Sequence, residues 1–318
     1  MNATPRKKVQ LEIVSRRDNS SSTPRSAPPT VSGRWILSAI GIVVIAAVFC
    51  AWATLCLLFW QGSWQLLYHP SSRIAQTPAA ANLAFEPVGF AATGNGQPRL
   101  RGWWIAAAPN APLSRYTVLY LHGAKGNLGN TIGDLAAIHA AGVNLLAFDY
   151  RGYGESEFVR PTESRWKQDA KWALDYLTGT RQISAGAIIL VGHDLGANLA
   201  LEVAAAHPKL AGVVLIAPLA SPMKAVFSDP RAQLVPAHLL ARDSYAIQKP
   251  AEELRIPSLW VFQESSSPDY AAEHSIINAA YNTITAPKQS AWLTGGQNSG
   301  NELTADLTNW LTGLNASR

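Results

Sequence analysis

From Trp35 to Trp60 the chain runs for 26 residues without a charged side chain, broken only by small or weakly polar residues such as Ser38, Gly41 and Thr54. About 20 apolar residues span a bilayer as a helix, and a segment apolar on every face has no polar side to turn to water. The apolar region of a cleaved signal peptide is about 7–15 residues and ends in a small-residue cleavage site, so this run is too long for one. The reading is a transmembrane helix over 35–60 whose partner is the lipid bilayer. It divides the chain into a short part before it and a long part after it.

Residues 1–34 carry Arg6, Lys7, Lys8, Arg16, Arg17, Arg25 and Arg34 against only Glu12 and Asp18, which accounts for the whole formal net charge of +5. The remainder balances at 19 basic and 19 acidic residues, so the charge reports a tail and gives no reason to expect nucleic acid. Ser20, Ser21 and Ser22 and the pair Pro28 and Pro29 mark that tail as a disordered basic segment. Basic residues before the span, with Trp60, Trp64 and Tyr68 as an aromatic belt after it, place the N-terminus in the cytoplasm and the bulk of the chain outside the inner membrane. The only cysteines, Cys50 and Cys56, lie inside the span, so the part beyond it needs no disulfide and tolerates an oxidising compartment.

Residues 61–84 read as a connector, and residues 85–315 read as one domain. Strand-like runs recur at Glu86–Ala92, Leu100–Ala106, Tyr116–Leu121, Val143–Phe148, Ala187–Val191, Gly212–Ile216, Ser258–Phe262 and Ser290–Leu293. Helical spacing separates most of the later ones. Trp166, Ala170, Ala173, Leu174 and Leu177 fall on one helical face, with Pro161 able to open the helix and Gly179 to close it. Strands alternating with helices after two hairpin-spaced strands predict an α/β sheet that is mostly parallel.

One stretch of that pattern carries chemistry. An apolar run Ile188–Val191 leads into the tight turn Gly192-His193-Asp194-Leu195-Gly196, and then into the helix-forming Ala197–Ala206. This is the outline of a nucleophile elbow, where small residues flank a nucleophile because its backbone turns sharply against the following helix. The position that usually holds Ser holds Asp194.

Leu121-His122-Gly123-Ala124-Lys125-Gly126-Asn127, then Phe148-Asp149-Tyr150-Arg151-Gly152-Tyr153-Gly154-Glu155-Ser156, then the Asp194 turn, follow each other in the order and spacing of an α/β-hydrolase. With Leu67-Tyr68-His69-Pro70 and Leu100-Arg101-Gly102-Trp103-Trp104 upstream, residues 65–315 resemble the membrane-anchored, serine aminopeptidase-like branch of that superfamily. The resemblance implies an α/β-hydrolase fold with oxyanion donors from the backbone of Leu195 and Ala124, and motif glycines at Gly123, Gly126, Gly192 and Gly196. It implies an acid near Ser266, in Glu264-Ser265-Ser266-Ser267-Pro268-Asp269, with Asp269 as a substitute, and a histidine base near Gln297. No histidine follows His274, and a neutral Gln cannot accept a proton near pH 7.

Two readings of Asp194 follow. In one, the three triad positions read Asp194, Ser266 and Gln297, and the protein binds a small hydrophobic ligand or a protein partner without ordinary turnover. In the other, Asp194 is a nucleophile that forms an ester, as in epoxide hydrolases and haloalkane dehalogenases, whose elbow Val191–Ala197 resembles. Ester, amide or epoxide-type hydrolysis by that route needs a relocated base such as His274 or His238. His193, directly before Asp194, is expected to point away from it. His122 is expected to be a hydrogen-bonded loop residue, and Asp149 and Arg151 to brace their turn. No cofactor is expected and no His, Asp and Glu grouping has metal-ligand spacing. Residues 222–257, with Pro222, Pro230, Pro236, Pro250 and Pro257, read as a short lid.

Overall fold

A computed structural model describes residues 32–264, 268–294 and 298–316. The basic tail therefore lies outside the described residues up to position 31, as do Ser266 and Gln297. The chain forms two compact units, Met1–Ala51 and Trp52–Arg318. In the first, the described residues belong to helix α1 (Gly33–Gly62), which takes in two residues assigned above to the tail and exposes apolar side chains such as Leu37, Ile42 and Ile45. This helix is long and apolar enough to cross a membrane.

The described residues of the second unit form ten strands. They are β1 (His69–Pro70), β2 (Glu86–Ala92), β3 (Pro98–Ile105), β4 (Thr117–Leu121), β5 (Lys125–Gly126), β6 (Asn144–Asp149), β7 (Ile188–His193), β8 (Gly212–Ile216), β9 (Ser258–Gln263) and β10 (Lys288–Leu293). The long helices are α2 (Ile132–Ala140), α3 (Glu163–Asp175), α4 (Leu195–Ala206), α8 (Tyr270–Thr283) and α9 (Ser299–Ala316); the short α5 (Lys224–Phe227), α6 (Ala237–Leu240) and α7 (Gln248–Glu253) lie within 222–257. Eight strands form one sheet in the order β10-β9-β8-β7-β4-β6-β3-β2. Only the pairings of β3 with β2 and with β6 are antiparallel. All eight strands expected from the sequence are present, two of them, β2 and β8, with the expected limits.

Alternation along the central strands sorts their side chains into two cores. Leu119, Leu121, Ile188 and Leu190 face α3 and α4 through Trp166, Leu199 and Leu201. Val118, Tyr120, Ile189 and Val191 face α2 and α9 through Leu135, Ile138, Leu307 and Trp310. Both faces are covered, which is why the central strands read as unbroken apolar runs. Helix α3 begins as its capping chemistry requires, with the Thr162 hydroxyl accepting from Arg165 N–H at 3.3 Å.

The segment 61–84 is more structured than a connector. Its 3-10 turns Ser63–Leu66 and Pro78–Ala81 flank β1, which pairs in parallel with β5. The region 222–257 is tied down at its far end. Glu163 accepts from the N–H groups of Ser244 and Tyr245, Asp243 accepts from Tyr68 Oη at 2.9 Å, and Asn198 Nδ2 donates to Tyr245 O at 2.9 Å.

Candidate functional site

Strand β7 ends at His193 and α4 begins at Leu195, so Asp194 alone makes the turn, with φ 56° and ψ −126°. That conformation is costly for a residue with a Cβ, on the order of 1–3 kcal/mol. The surroundings hold it in place. Asp194 N–H donates to Ile216 O at 3.0 Å, and Ala197 N–H donates back to Asp194 O at 2.9 Å. A Cβ on Gly192 would lie 2.2 Å from Gly196 O, and one on Gly196 would lie 2.1 Å from Leu121 O. Gly192 thus lets α4 turn back against the end of β7, and Gly196 lets it touch the end of β4.

Gly123 brings the other wall. A Cβ there would sit 3.1 Å from Asp194 Oδ2, so the loop after β4 passes directly beside the carboxylate. Hydroxyls from the segment after β6 pin this loop: Tyr150 Oη donates to His122 O at 3.2 Å and Tyr153 Oη to Ala124 O at 2.9 Å. From the other side His69 N–H also donates to Ala124 O, at 2.9 Å, where β1 meets β5 and Gly126. The structure therefore gathers Gly123, Ala124, Asp194, Leu195, Gly192 and Gly196 around one point at the carboxyl ends of β4 and β7.

Burial pushes the Asp194 carboxyl above its usual range, and the charges of His193 and Lys125 and the backbone N–H of Leu195 pull against that without cancelling it. Among the described residues, none of the seven histidines hydrogen-bonds Asp194. His193 Nδ1 instead meets Asp134 Oδ2, in the first turn of α2, at 2.5 Å, and the same oxygen accepts from Tyr120 Oη at 2.6 Å. Burial disfavours the imidazolium of His193, but the hydrogen bond and charge of Asp134, with the charge of Asp194, outweigh it and raise its pKa. Sequence reading missed this pair. Its one signal was a histidine closing an otherwise apolar strand.

His122 is fully buried among Tyr150, Tyr153 and Trp166. Its Nδ1–H donates to Gly123 O at 2.8 Å, leaving Nε2 3.5 Å from Asp149 Oδ1. Burial pulls its pKa down to about 4 and pushes that of Asp149 up to about 7. Asp149 Oδ1 also accepts from Leu128 N–H at 2.9 Å, and Arg151 Nε pairs with buried Asp169 at 2.6 Å. These groups brace turns.

The other expected participants stand elsewhere. Asp269 pairs with Lys224 at 2.5 Å at the start of α8. His274 packs among Phe262, Tyr270 and Trp292, and His238 lies against Phe227. Phe262, Tyr270, His274 and Ile277, with Glu264 and Glu273, line a cavity of about 380 Å³ at the carboxyl ends of β8 and β9. Among the described residues no group of three or more His, Cys, Asp or Glu could hold a metal ion.

The sequence profile of the Alpha/beta hydrolase family matches residues 118–312. Uncharacterized protein YfhR of Salmonella typhi is 33% identical over 133 residues, 41% of this chain and 43% of that protein. Uncharacterized protein Rv2307c of Mycobacterium tuberculosis is 30% identical over 181 residues, 56% of this chain and 61% of that one. The chain thus spans about half the length of these relatives. Among solved structures, the Pyrococcus furiosus esterase Pf2001 superposes with a TM-score of 0.57 at 17% identity, over 77% of this chain and 97% of that one. That likeness is one of fold.

Proposed function

Because the chain belongs to the alpha/beta hydrolase family, we propose that it is a membrane-anchored member that binds a ligand without ordinary turnover. The observation that carries this reading is that, among the described residues, no imidazole hydrogen-bonds Asp194, and His193 acts on it by charge alone. A carboxylate that attacks carbon leaves an ester, and releasing it needs a base to activate water. The position after β10 offers Gln297, which cannot take a proton. The Leu195 N–H acts on the Asp194 carboxylate, so a donor that a hydrolase would aim at a developing oxyanion already faces a resident anion. Helix α1 is the anchor, with the basic tail on the cytoplasmic side and the hydrolase-like domain on the far side of the inner membrane. The cavity at the ends of β8 and β9, where Phe262 and Ile277 face Glu264, Glu273 and His274, suits a small ligand with an apolar body and a polar end.

The pairing of His193 with Asp134 favours a second reading. A carboxylate that orients an imidazole is the arrangement a catalytic base needs, and here it stands one residue from Asp194. Against it, the raised pKa of His193 favours the imidazolium, which has no lone pair to accept a proton.

The full chain in detergent, assayed on aryl esters, epoxides and haloalkanes with intact-mass analysis, separates the two. Binding without turnover predicts rates no higher than those of Asp194→Asn. Turnover lost in both Asp194→Asn and His193→Gln would overturn it in favour of the second reading.

A further inference from the structure

Beside the end of α1, away from the Asp194 turn, lies a cavity of about 320 Å³. Its walls combine three arginines, Arg160, Arg165 and Arg242, with the indoles of Trp60 and Trp64 and the apolar side chains of Leu67, Met223, Val226 and Leu240. A single carboxylate, Asp243, shares the lining, and both its oxygens are engaged, Oδ2 by Tyr68 Oη and Oδ1 by Glu163 N–H. None of the three arginines forms an ion pair among the described residues.

The arginines are not simply solvated surface charges. Arg160 Nη2 donates to Trp60 O at 3.0 Å, one of the last carbonyls of α1 and so one without a helical partner. Its Nε is buried and unpartnered, and Arg165 Nη1 donates to Arg160 O at 2.6 Å, fixing the two guanidinium groups on one wall. A buried unpaired donor destabilises the fold, and an anion placed between the two would give it a partner.

The level of the cavity along α1 bears on the source of that anion. Trp52 Nε1 donates to Leu234 O at 3.0 Å, which docks 222–257 on the helix eight residues, or about 12 Å, before Trp60. Leu234 and Leu239 stay 63% and 78% exposed there. Exposed leucines beside the apolar stretch, followed by tryptophans and then arginines, trace the change from hydrocarbon to headgroup.

We propose that this cavity holds the phosphate of one anionic phospholipid on Arg160, Arg165 and Arg242, with the start of its acyl chain along Leu67, Met223, Val226 and Leu240. The proposal rests on the reading of α1 as a membrane anchor. The apolar walls select a lipid over free phosphate, and the net positive lining selects an anionic headgroup over a zwitterionic one.

Native mass spectrometry of the full chain, released from micelles doped equally with phosphatidylglycerol and phosphatidylcholine, reads the site. One phosphatidylglycerol is retained, with roughly tenfold preference, the scale of one charge-assisted contact. Arg160→Gln with Arg165→Gln abolishes the preference. Arg242→Gln, at an exposed residue that forms no hydrogen bond among the described residues, lowers it several-fold, and Arg255→Gln outside the cavity leaves it intact. Equal retention of both lipids, or an unchanged preference in both cavity variants, overturns the proposal. Displacement of the lipid by excess inorganic phosphate assigns the site to a free anion and overturns the lipid. Flotation with neutral phosphatidylcholine vesicles tests the anchor separately: a chain that stays at the bottom refutes the anchor, while lipid preference in micelles still reports on the cavity.

Discussion

Replacing Asp149 by Asn tests how the loop beside Asp194 is supported. Asp149 is buried, accepts from Leu128 N–H, and faces His122 Nε2 at 3.5 Å. Because His122 Nδ1–H is committed to Gly123 O, Nε2 carries a lone pair, and an ionised Asp149 would confront it. Burial therefore raises its pKa from 3.8 to about 7, so that the neutral acid is favoured below that pH. A native state that binds this proton more tightly than the unfolded chain loses stability as pH rises from the unfolded value to the folded one. The cost is absent below about pH 4, grows by about 1.4 kcal/mol per pH unit and levels off near pH 7 at about 4 kcal/mol. Asn keeps an acceptor for Leu128 and has no charge to bury. The variant should match the wild type near pH 4 and exceed it by up to about 4 kcal/mol near pH 8. His122, lowered to about 4, titrates the other way in both proteins and cancels in the difference. Urea unfolding of the full chain in detergent, followed by tryptophan fluorescence across that range, measures it. A destabilisation of equal size at both ends would refute the reasoning, since it would mean an Asp149 ionised and stabilised throughout.

Gly196→Ala should cost at least about 3 kcal/mol, because the new Cβ meets Leu121 O and His122 O, both backbone atoms; a thermal midpoint equal to the wild type would refute the account of the turn. Tyr68→Phe removes the hydroxyl that joins Asp243 and Tyr245, a loss of about 1–2 kcal/mol. Faster amide exchange confined to Ser244 and Tyr245 would place that loss at the tie to 222–257, and unchanged exchange there would refute it.

The sheet was legible because each central strand is buried on both faces and so spells a continuous apolar run. The helix carrying Trp166 was legible from its period, and Thr162 supplies the cap that fixes its start. Strands of two residues have no period, so the pairing of His69 and Pro70 with Lys125 and Gly126 could not be read, and 61–84 looked like a bare connector. The candidate site was legible only where backbone geometry dictates residue type. Gly192 and Gly196 announce a close approach. The meeting of His193 with Asp134 joins residues 59 apart through the packing of α2 on β7, and no local pattern records it. The same holds for the arginine cavity, assembled from the end of α1, the segment before α3 and the region 222–257.

This difference explains how a hydrolase turn persists around an unusual residue. The turn depends on main-chain contacts: Asp194 N–H on Ile216 O, glycine against carbonyl at Gly192 and Gly196, and Gly123 beside the carboxylate. None of these depends on the side chain at 194 being a serine. The acid and base positions that the family resemblance implies, Ser266 and Gln297, by contrast fall after β9 and β10, outside the described residues. The burial that raises the Asp194 pKa comes with the turn itself. On the proposed reading, Asp194→Ser would place a hydroxyl at the turn and still give no aryl-ester turnover, because Gln297 offers it no proton acceptor; measurable hydrolysis by that variant would refute the reading.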